Sequence, residues 1–210
     1  MRVVDLSHPI SAGMPVYPGD PAPGIDVVSS YDGVGYMARR LCIGSHTGTH
    51  MDAPAHMIRG GKTLDWYPVG HFTGRALVVD ASAQATIGLD VLLAHDTVIP
   101  RDGYLLLKTG WYRRWGSPGY FADYPALSAE AAAWIANQGL RGIGVDAPSV
   151  DPGNSETYAI HRTLLGSGMV ILESLTNLEH LSSSSFTLAA YPLPLDGADG
   201  SPVRAVALLG

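Results

Sequence analysis

The sequence predicts a mixed α/β fold with a sheet or barrel-like core and a few flanking helices. Three observations carry this. Hydrophobic residues make up 46% of the 210 and charged residues 15%, an apolar-rich globular balance. Apolar runs of the buried-strand kind recur along the chain, whereas helical patterns are few. Where a helix is indicated, a strand follows it directly. Proline (15) and glycine (25) cut the chain into short elements. No composition shift marks a linker and no repeat is present, so residues 1–210 are expected to form one domain, large for a single core but within range.

The elements follow in order. Val3 to Ile10 begins as a strand and enters a proline-rich loop, PVYPGDPAPG. Met37 to Ile43 is a strand leading into HTGTHMDAPAH at 46–56. RALVVDAS (75–82) and GYLLLKTGW (103–111) are strands of the buried kind. LSAEAAAWIANQGLRGIGVDAP is a helix and then a strand, with Ser128 as N-cap, alanines in the interior and Gly139 at C′. SETYAIHRTLLGSGMVILESL repeats that order, with the helix over 155–165 and the strand ending at Glu173. Ser182 to Ser185 is a loop, and FTLAAYPLPL and SPVRAVALLG add two strands.

Charge and composition exclude several functions. A net charge of -6 argues against nucleic acid or an anionic membrane as the main partner. No apolar run approaches the roughly 20 residues of a membrane span. The N-terminal MRVVDLSHPI lacks the apolar stretch of a signal peptide. The single cysteine, Cys42, admits no internal disulfide and fits a reducing cytoplasm.

The chemistry concentrates at residues 46–56. His46 and His50 stand four apart, but Gly48 between two threonines and the nearby Pro54 argue against a helix. In a straight strand they would lie about 13 Å apart, too far to share an ion. The chain must therefore bend between them, and Gly48 is the residue that can bend. Asp52 adds a carboxylate able to bridge two ions. Two imidazoles and a carboxylate suit zinc, with manganese the rival, and leave a coordination position open to water. A water so held can lose its proton near pH 7. His56, set off by Pro54, is then free to move protons. The alternative is a polar surface loop.

A second cluster lies downstream. His161 falls on the apolar side of its helix, near Tyr158, Leu164 and Leu165. Glu173 ends a buried strand, where a carboxylate needs a positive partner. A buried His–Glu hydrogen bond would satisfy both. Beside the first motif, they could instead complete a second metal site with Asp52 shared between the ions. Two ions about 3.5–4 Å apart would hold a bridging hydroxide and polarise a carbonyl.

HTGTHMDAPAH resembles the H-x-G-T-H-x-D-x-P-x-H signature of the cyclase family of metal-dependent hydrolases. DLSHPISAGMPVYPGD, KTGW, GVDAPSVDP, the His161 and Glu173 spacing and the closing ADGSPVRAV resemble its bacterial kynurenine formamidase (arylformamidase) branch, over nearly the whole chain. The resemblance implies a swivelling β/β/α-type fold, a homodimer and two zinc ions per subunit. It implies His46, His50 and Asp52 on the first zinc, Asp52, His161 and Glu173 on the second, and His56 as general acid/base. The implied reaction is hydrolysis of a small aromatic amide, N-formyl-L-kynurenine to L-kynurenine and formate in tryptophan catabolism, by a metal-bridged hydroxide.

One position departs from the pattern. The branch carries tryptophan in P-x-W-P-G-D, where this chain has Tyr17. Tyrosine still stacks on an aniline ring but is smaller and brings a hydroxyl. Tyr17 is thus a candidate substrate-binding residue, and the change bears on the substrate more than on the chemistry. Related members open cyclic amides such as isatin, so a hydrolase of a cyclic imide, lactam or lactone with the same metal core is the alternative. A non-catalytic metal-binding protein is another.

Other residues read more plainly. His8, His71, His95 and His180 have no ligand-type partner nearby in sequence and read as surface or capping residues, although His8 resembles a pocket-adjacent family position. Asp146 and Asp151 read as turn-forming and backbone-bonding acids, with support of the ligands as the alternative. Trp66, Tyr67 and Phe72 read as core, and Cys42 as buried in a strand.

Overall fold

The computed structural model describes residues 1–181 and 185–210, so Ser182–Ser184 of the expected serine loop lie outside the described residues. The strands are β1 (Arg2–Asp5), β2 (Gly24–Ser29), β3 (Ala38–Cys42), β4 (His50–Asp52), β5 (Thr73–Asp80), β6 (Thr86–Ile87), β7 (Tyr104–Lys108), β8 (Ala126–Leu127), β9 (Gly142–Val145), β10 (Val170–Glu173), β11 (Phe186–Pro192) and β12 (Gly200–Leu209). The α-helices are α1 (Tyr31–Val34), α2 (Leu89–Leu93), α3 (Ala129–Ala136) and α4 (Ala159–Gly166).

The main sheet runs β1-β12-β11-β5-β7-β9-β10-β4, and β4 pairs again with β12. That last pairing closes the sheet into a barrel, with β1 added outside the closure. β5, β7, β9 and β10 are parallel, while β11, β12 and β4 join antiparallel. The mixed α/β class with a barrel-like core is the one the apolar runs predict.

Those runs have a physical cause. Along β5, Ala76 and Val78 enter the barrel core with Tyr104 and Leu106 of β7 and Leu172 of β10. The alternate residues Leu77, Val79, Leu105, Leu107 and Ile171 pack outward against α3 and α4. Strands buried on both faces lose the polar alternation of a half-exposed sheet. β9 shows the tightness of the interior. A Cβ at Gly142 would stand 2.7 Å from the Val170 carbonyl oxygen and 2.8 Å from the Tyr104 ring. Only glycine lets β9 approach its neighbours this closely.

Local signals hold with small shifts. Ser128 caps α3, its Oγ accepting from the Ala131 N–H at 3.1 Å. Gly139 adopts φ +68°, but α3 ends at Ala136 with Asn137 as its C-cap, so the glycine turns the chain just beyond C′. α4 begins at Ala159, later than the expected 155, because Tyr158 at its N-terminus has φ 51°, outside the helical region. β2, which the sequence did not disclose, pairs with β3 to form a two-stranded arm. Cys42, at the end of β3, is exposed rather than buried, since the arm does not join the barrel. Trp66 is likewise no core residue, at 72% exposure, whereas Phe72 is buried as expected. Among the described residues, no helix is long and apolar enough to cross a membrane.

His8 is not a plain surface residue either. Its ring stacks on Trp115, with centroids 4.0 Å apart and planes within 3°. Its Nε2 is buried without a hydrogen-bond partner among the described residues. Burial lowers its pKa from 6.5 to about 4. The fold therefore favours neutral His8. This contribution is fully present above pH 6.5 and is lost as pH falls through about 4. In urea titrations of the metal-stripped protein at pH 7 and pH 4.5, the wild-type midpoint should fall further than that of His8→Phe, which keeps a stacked ring but cannot titrate. Equal falls would show that His8 does not couple to folding.

Candidate metal centre

The histidine segment bends where the sequence requires it. Gly48 has φ +67°, and a Cβ there would lie 2.8 Å from Met14 Cε. Thr49 anchors the bend, donating its hydroxyl to the Ser174 carbonyl at 2.6 Å and accepting the His8 N–H at 2.9 Å. β4 follows, and its alternation sends His50 and Asp52 to one face and Met51 into the barrel core. Pro54–His56 then form a 3₁₀ turn. Glu173 ends β10, paired in register with His50, and His161 lies on α4.

These elements converge on Asp52, which is 1% exposed. Its Oδ1 lies 2.7 Å from His46 Nδ1 and 3.2 Å from His50 Nε2. Its Oδ2 lies 3.5 Å from His161 Nε2, which is 3.1 Å from Glu173 Oε1. The carboxylate thus divides between two donor sets: His46 and His50 on one side, His161 and Glu173 on the other. In each set the ligand-type atoms lie within 4.8 Å of one another. Asp52 Oδ2 is buried with no hydrogen-bond partner among the described residues. An unpartnered carboxylate oxygen between imidazoles and a second carboxylate fits a cation, as the donor chemistry does.

The far side of each imidazole is also held. His50 Nδ1 donates to the Gly48 carbonyl at 2.9 Å. His161 Nδ1 faces Asp151 Oδ2 at 2.6 Å, and His46 Nε2 faces Asp199 Oδ2 at 2.9 Å. Such outer acceptors fix ring orientation and raise basicity toward a metal. Asp151 also accepts the backbone N–H groups of Ile160 and His161, so it caps α4 while orienting the ring. Asp146 does the backbone-bonding expected of it, accepting from the Thr109 and Gly110 amides.

Electrostatics follow from this packing. Burial opposes charge on His46, His50 and His161, but the surrounding carboxylates outweigh it and raise all three pKa values, His46 to about 9. Burial likewise raises the Asp52 pKa, but the His50 charge, the nearby His161 imidazole and the contact with His46 drive it well below its ordinary value. The cluster draws positive charge. His56 differs: burial lowers its pKa more than Asp52 raises it, leaving an imidazole able to accept a proton.

Above the cluster opens a cavity of about 490 Å³, lined by Tyr17, Trp115, Phe121 and Tyr158 and bordered by His56. Tyr17 meets Phe121 edge to face at 5.6 Å. All five residues expected around the metals come together with His56, and Tyr17 lines the same cavity. Sequence reasoning missed Asp199, Trp115, Phe121 and Tyr158. Only ADGSPVRAV, quoted for its resemblance, pointed toward Asp199.

Barrel, donor sets and cavity define a metal-dependent hydrolase scaffold, and the comparisons agree. Residues 4–152 match the family model described as a putative cyclase. The chain belongs to the cyclase family. It is 37% identical over 206 residues to a kynurenine formamidase of Bacillus mycoides (strain KBAB4), covering 97% of this chain and 95% of that one. To that of Geobacillus thermodenitrificans (strain NG80-2) it is 36% identical over 204 residues, covering 96% and 95%. Isatin hydrolase A from Ralstonia solanacearum superposes with a TM-score of 0.90 at 30% identity, covering 100% of this chain and 92% of that one. Isatin hydrolase A from Labrenzia aggregata, bound to benzyl benzoate, gives 0.90 at 28%, covering 98% and 93%.

Asp52→Asn keeps the shape of the shared side chain and removes its charge. Elemental analysis of protein exposed to zinc or manganese should show bound metal lost or sharply reduced relative to wild type, with the circular dichroism spectrum retained. Metal content equal to wild type would show that the Asp52 carboxylate is not a ligand.

Proposed function

We propose that the chain is a dinuclear metal-dependent hydrolase that cleaves the C–N bond of an aryl formamide, converting N-formyl-L-kynurenine to L-kynurenine and formate. One observation carries this reading: the two oxygens of Asp52 face two donor sets at the floor of an aromatic-lined cavity. The 37% identity to kynurenine formamidases supports the substrate class.

His46, His50 and Asp52 would hold one ion, and Asp52, His161 and Glu173 the other. Zinc suits this donor set and manganese is its rival. Such ions would polarise the formyl carbonyl and make water nucleophilic at neutral pH. The chain's own residues do the rest. Tyr17, Phe121 and Trp115 receive the aryl ring. His56, at the cavity wall, takes a proton from the attacking water and delivers it to the departing aniline nitrogen. Asp151 and Asp199 hold the ligand rings in place.

A second reading keeps the same core and opens a cyclic amide. The superposition on isatin hydrolases supports it, and so does Tyr17, whose hydroxyl sets this cavity apart from a tryptophan-lined one. The proposal also takes residues 1–210 as one hydrolase domain, acting in the cytoplasm as its lone Cys42 suggests. It takes the enzyme as a homodimer. The arm of β2 and β3 exposes Val27, Val28 and Leu41, which a second copy would cover.

Purified protein given N-formylkynurenine and isatin in parallel should release formate from the first. No formate, with isatin opened, would transfer the assignment to the cyclic amide. His56→Ala should keep its metal and lose about 10²–10⁴-fold in turnover. Unchanged turnover would remove His56 from proton transfer. Sedimentation should give a dimer that Val28→Glu converts to monomer, and a monomeric wild type would refute the assembly.

A further inference from the structure

Asp199 stands immediately before β12, at a crossing point of the site. Its backbone carbonyl accepts the Ala53 N–H at 2.8 Å, next to Asp52 in sequence. Its side-chain Oδ2 faces two rings at once, His46 Nε2 at 2.9 Å and His56 Nδ1 at 3.6 Å. The two rings are themselves in contact, with centroids 3.9 Å apart and planes tilted by 36°. The next residue explains the close approach. A Cβ on Gly200 would stand 2.5 Å from His46 Cε1, so the chain passes directly beneath the ring. The entry of β12 therefore delivers the Asp199 carboxylate to both imidazoles.

The two contacts serve different chemistry. His46 turns Nδ1 toward Asp52 and Nε2 toward Asp199. His56 turns Nδ1 toward Asp199 and borders the cavity. At 3.6 Å the second contact lies just outside hydrogen-bond reach. Hydrogen bonds of catalytic groups are commonly long before substrate binds.

We propose that Asp199 is the positioning residue for His56. It accepts the Nδ1–H of His56, which leaves Nε2 as the atom that takes the proton from water and passes it to the departing nitrogen. Through the His46 Nε2–H, the same oxygen ties that orientation to a metal ligand. An imidazole protonated at Nε2 is a cation, and the carboxylate at Nδ1 stabilises it until the proton leaves. Asp199 touches no reacting atom and acts through His56. The inference rests on the proton-transfer role given to His56 above.

The test is a double-mutant cycle with two further readouts. Asp199→Ala should lower kcat about 10- to 100-fold. KM and bound metal at saturating supply should stay near wild type. In the His56→Ala background the same substitution should cost almost nothing more. Asp199→Asn, which retains an acceptor oxygen, should recover part of the rate, and it takes over the cycle if the alanine variant fails to fold. Loss of metal, or an undiminished fall of kcat in the His56→Ala background, overturns the proposal, because Asp199 would then act through His46 alone. Imidazole ¹H–¹⁵N correlation spectra of the metal-loaded protein should place the His56 proton on Nδ1 in wild type and shift it toward Nε2 in Asp199→Ala. An identical tautomer in both overturns the proposal regardless of turnover. If wild type cleaves neither N-formylkynurenine nor isatin, the proposed function falls, while the spectra still decide whether Asp199 orients His56.

Discussion

One buried carboxylate organises this molecule. Asp52 is 1% exposed and faces three imidazoles, with Glu173 behind one of them. Removing a carboxylate from water costs on the order of several kcal/mol unless positive charge meets it. Three imidazoles face it, and their own outer contacts are arranged accordingly. Asp151, Asp199 and the Gly48 carbonyl each take the far nitrogen of one ring. A shell built this way leaves the imidazoles little freedom to turn, which is the preorganisation a metal centre requires.

The barrel makes this convergence possible. Asp52 lies on a strand of three residues that pairs with β10 on one side and β12 on the other. Its backbone closes the barrel, and its alternate side chains leave the core for the site. Pairing brings Glu173 beside His50 and Gly200 beside Asp52. Interior packing and site geometry are therefore set by the same register. A slip of one residue in β4 would send Met51 into the cavity and the ligands into the apolar core.

The legible part of this site was the part written in one short segment. His46, His50, Asp52 and His56 lie close enough that spacing, the glycine bend and Pro54 constrain them together. The strands were legible because burial on both faces leaves continuous apolar runs, as in RALVV and YLLL. The outer acceptors were less accessible. Asp199 sits some 150 residues from His46, and nothing local distinguishes it from a turn aspartate. Asp151 looked like a backbone-bonding acid and is one, yet the same carboxylate orients His161. Trp115 and Phe121 come from the β7–β8 connection and Tyr158 from the start of α4, and only the fold brings them to one cavity. Cys42 and Trp66 misled because residue type suggests burial, whereas exposure depends on whether the element joins the barrel.

The closure of the sheet through β4 has a consequence beyond geometry. The strand that zips the cylinder shut also carries two of the side chains that would grip the cations. Anything bound across that join favours the shut form by mass action. Ion supply and the equilibrium stability of the intact cylinder would then be linked. A chelator that emptied the pocket would also loosen the seam.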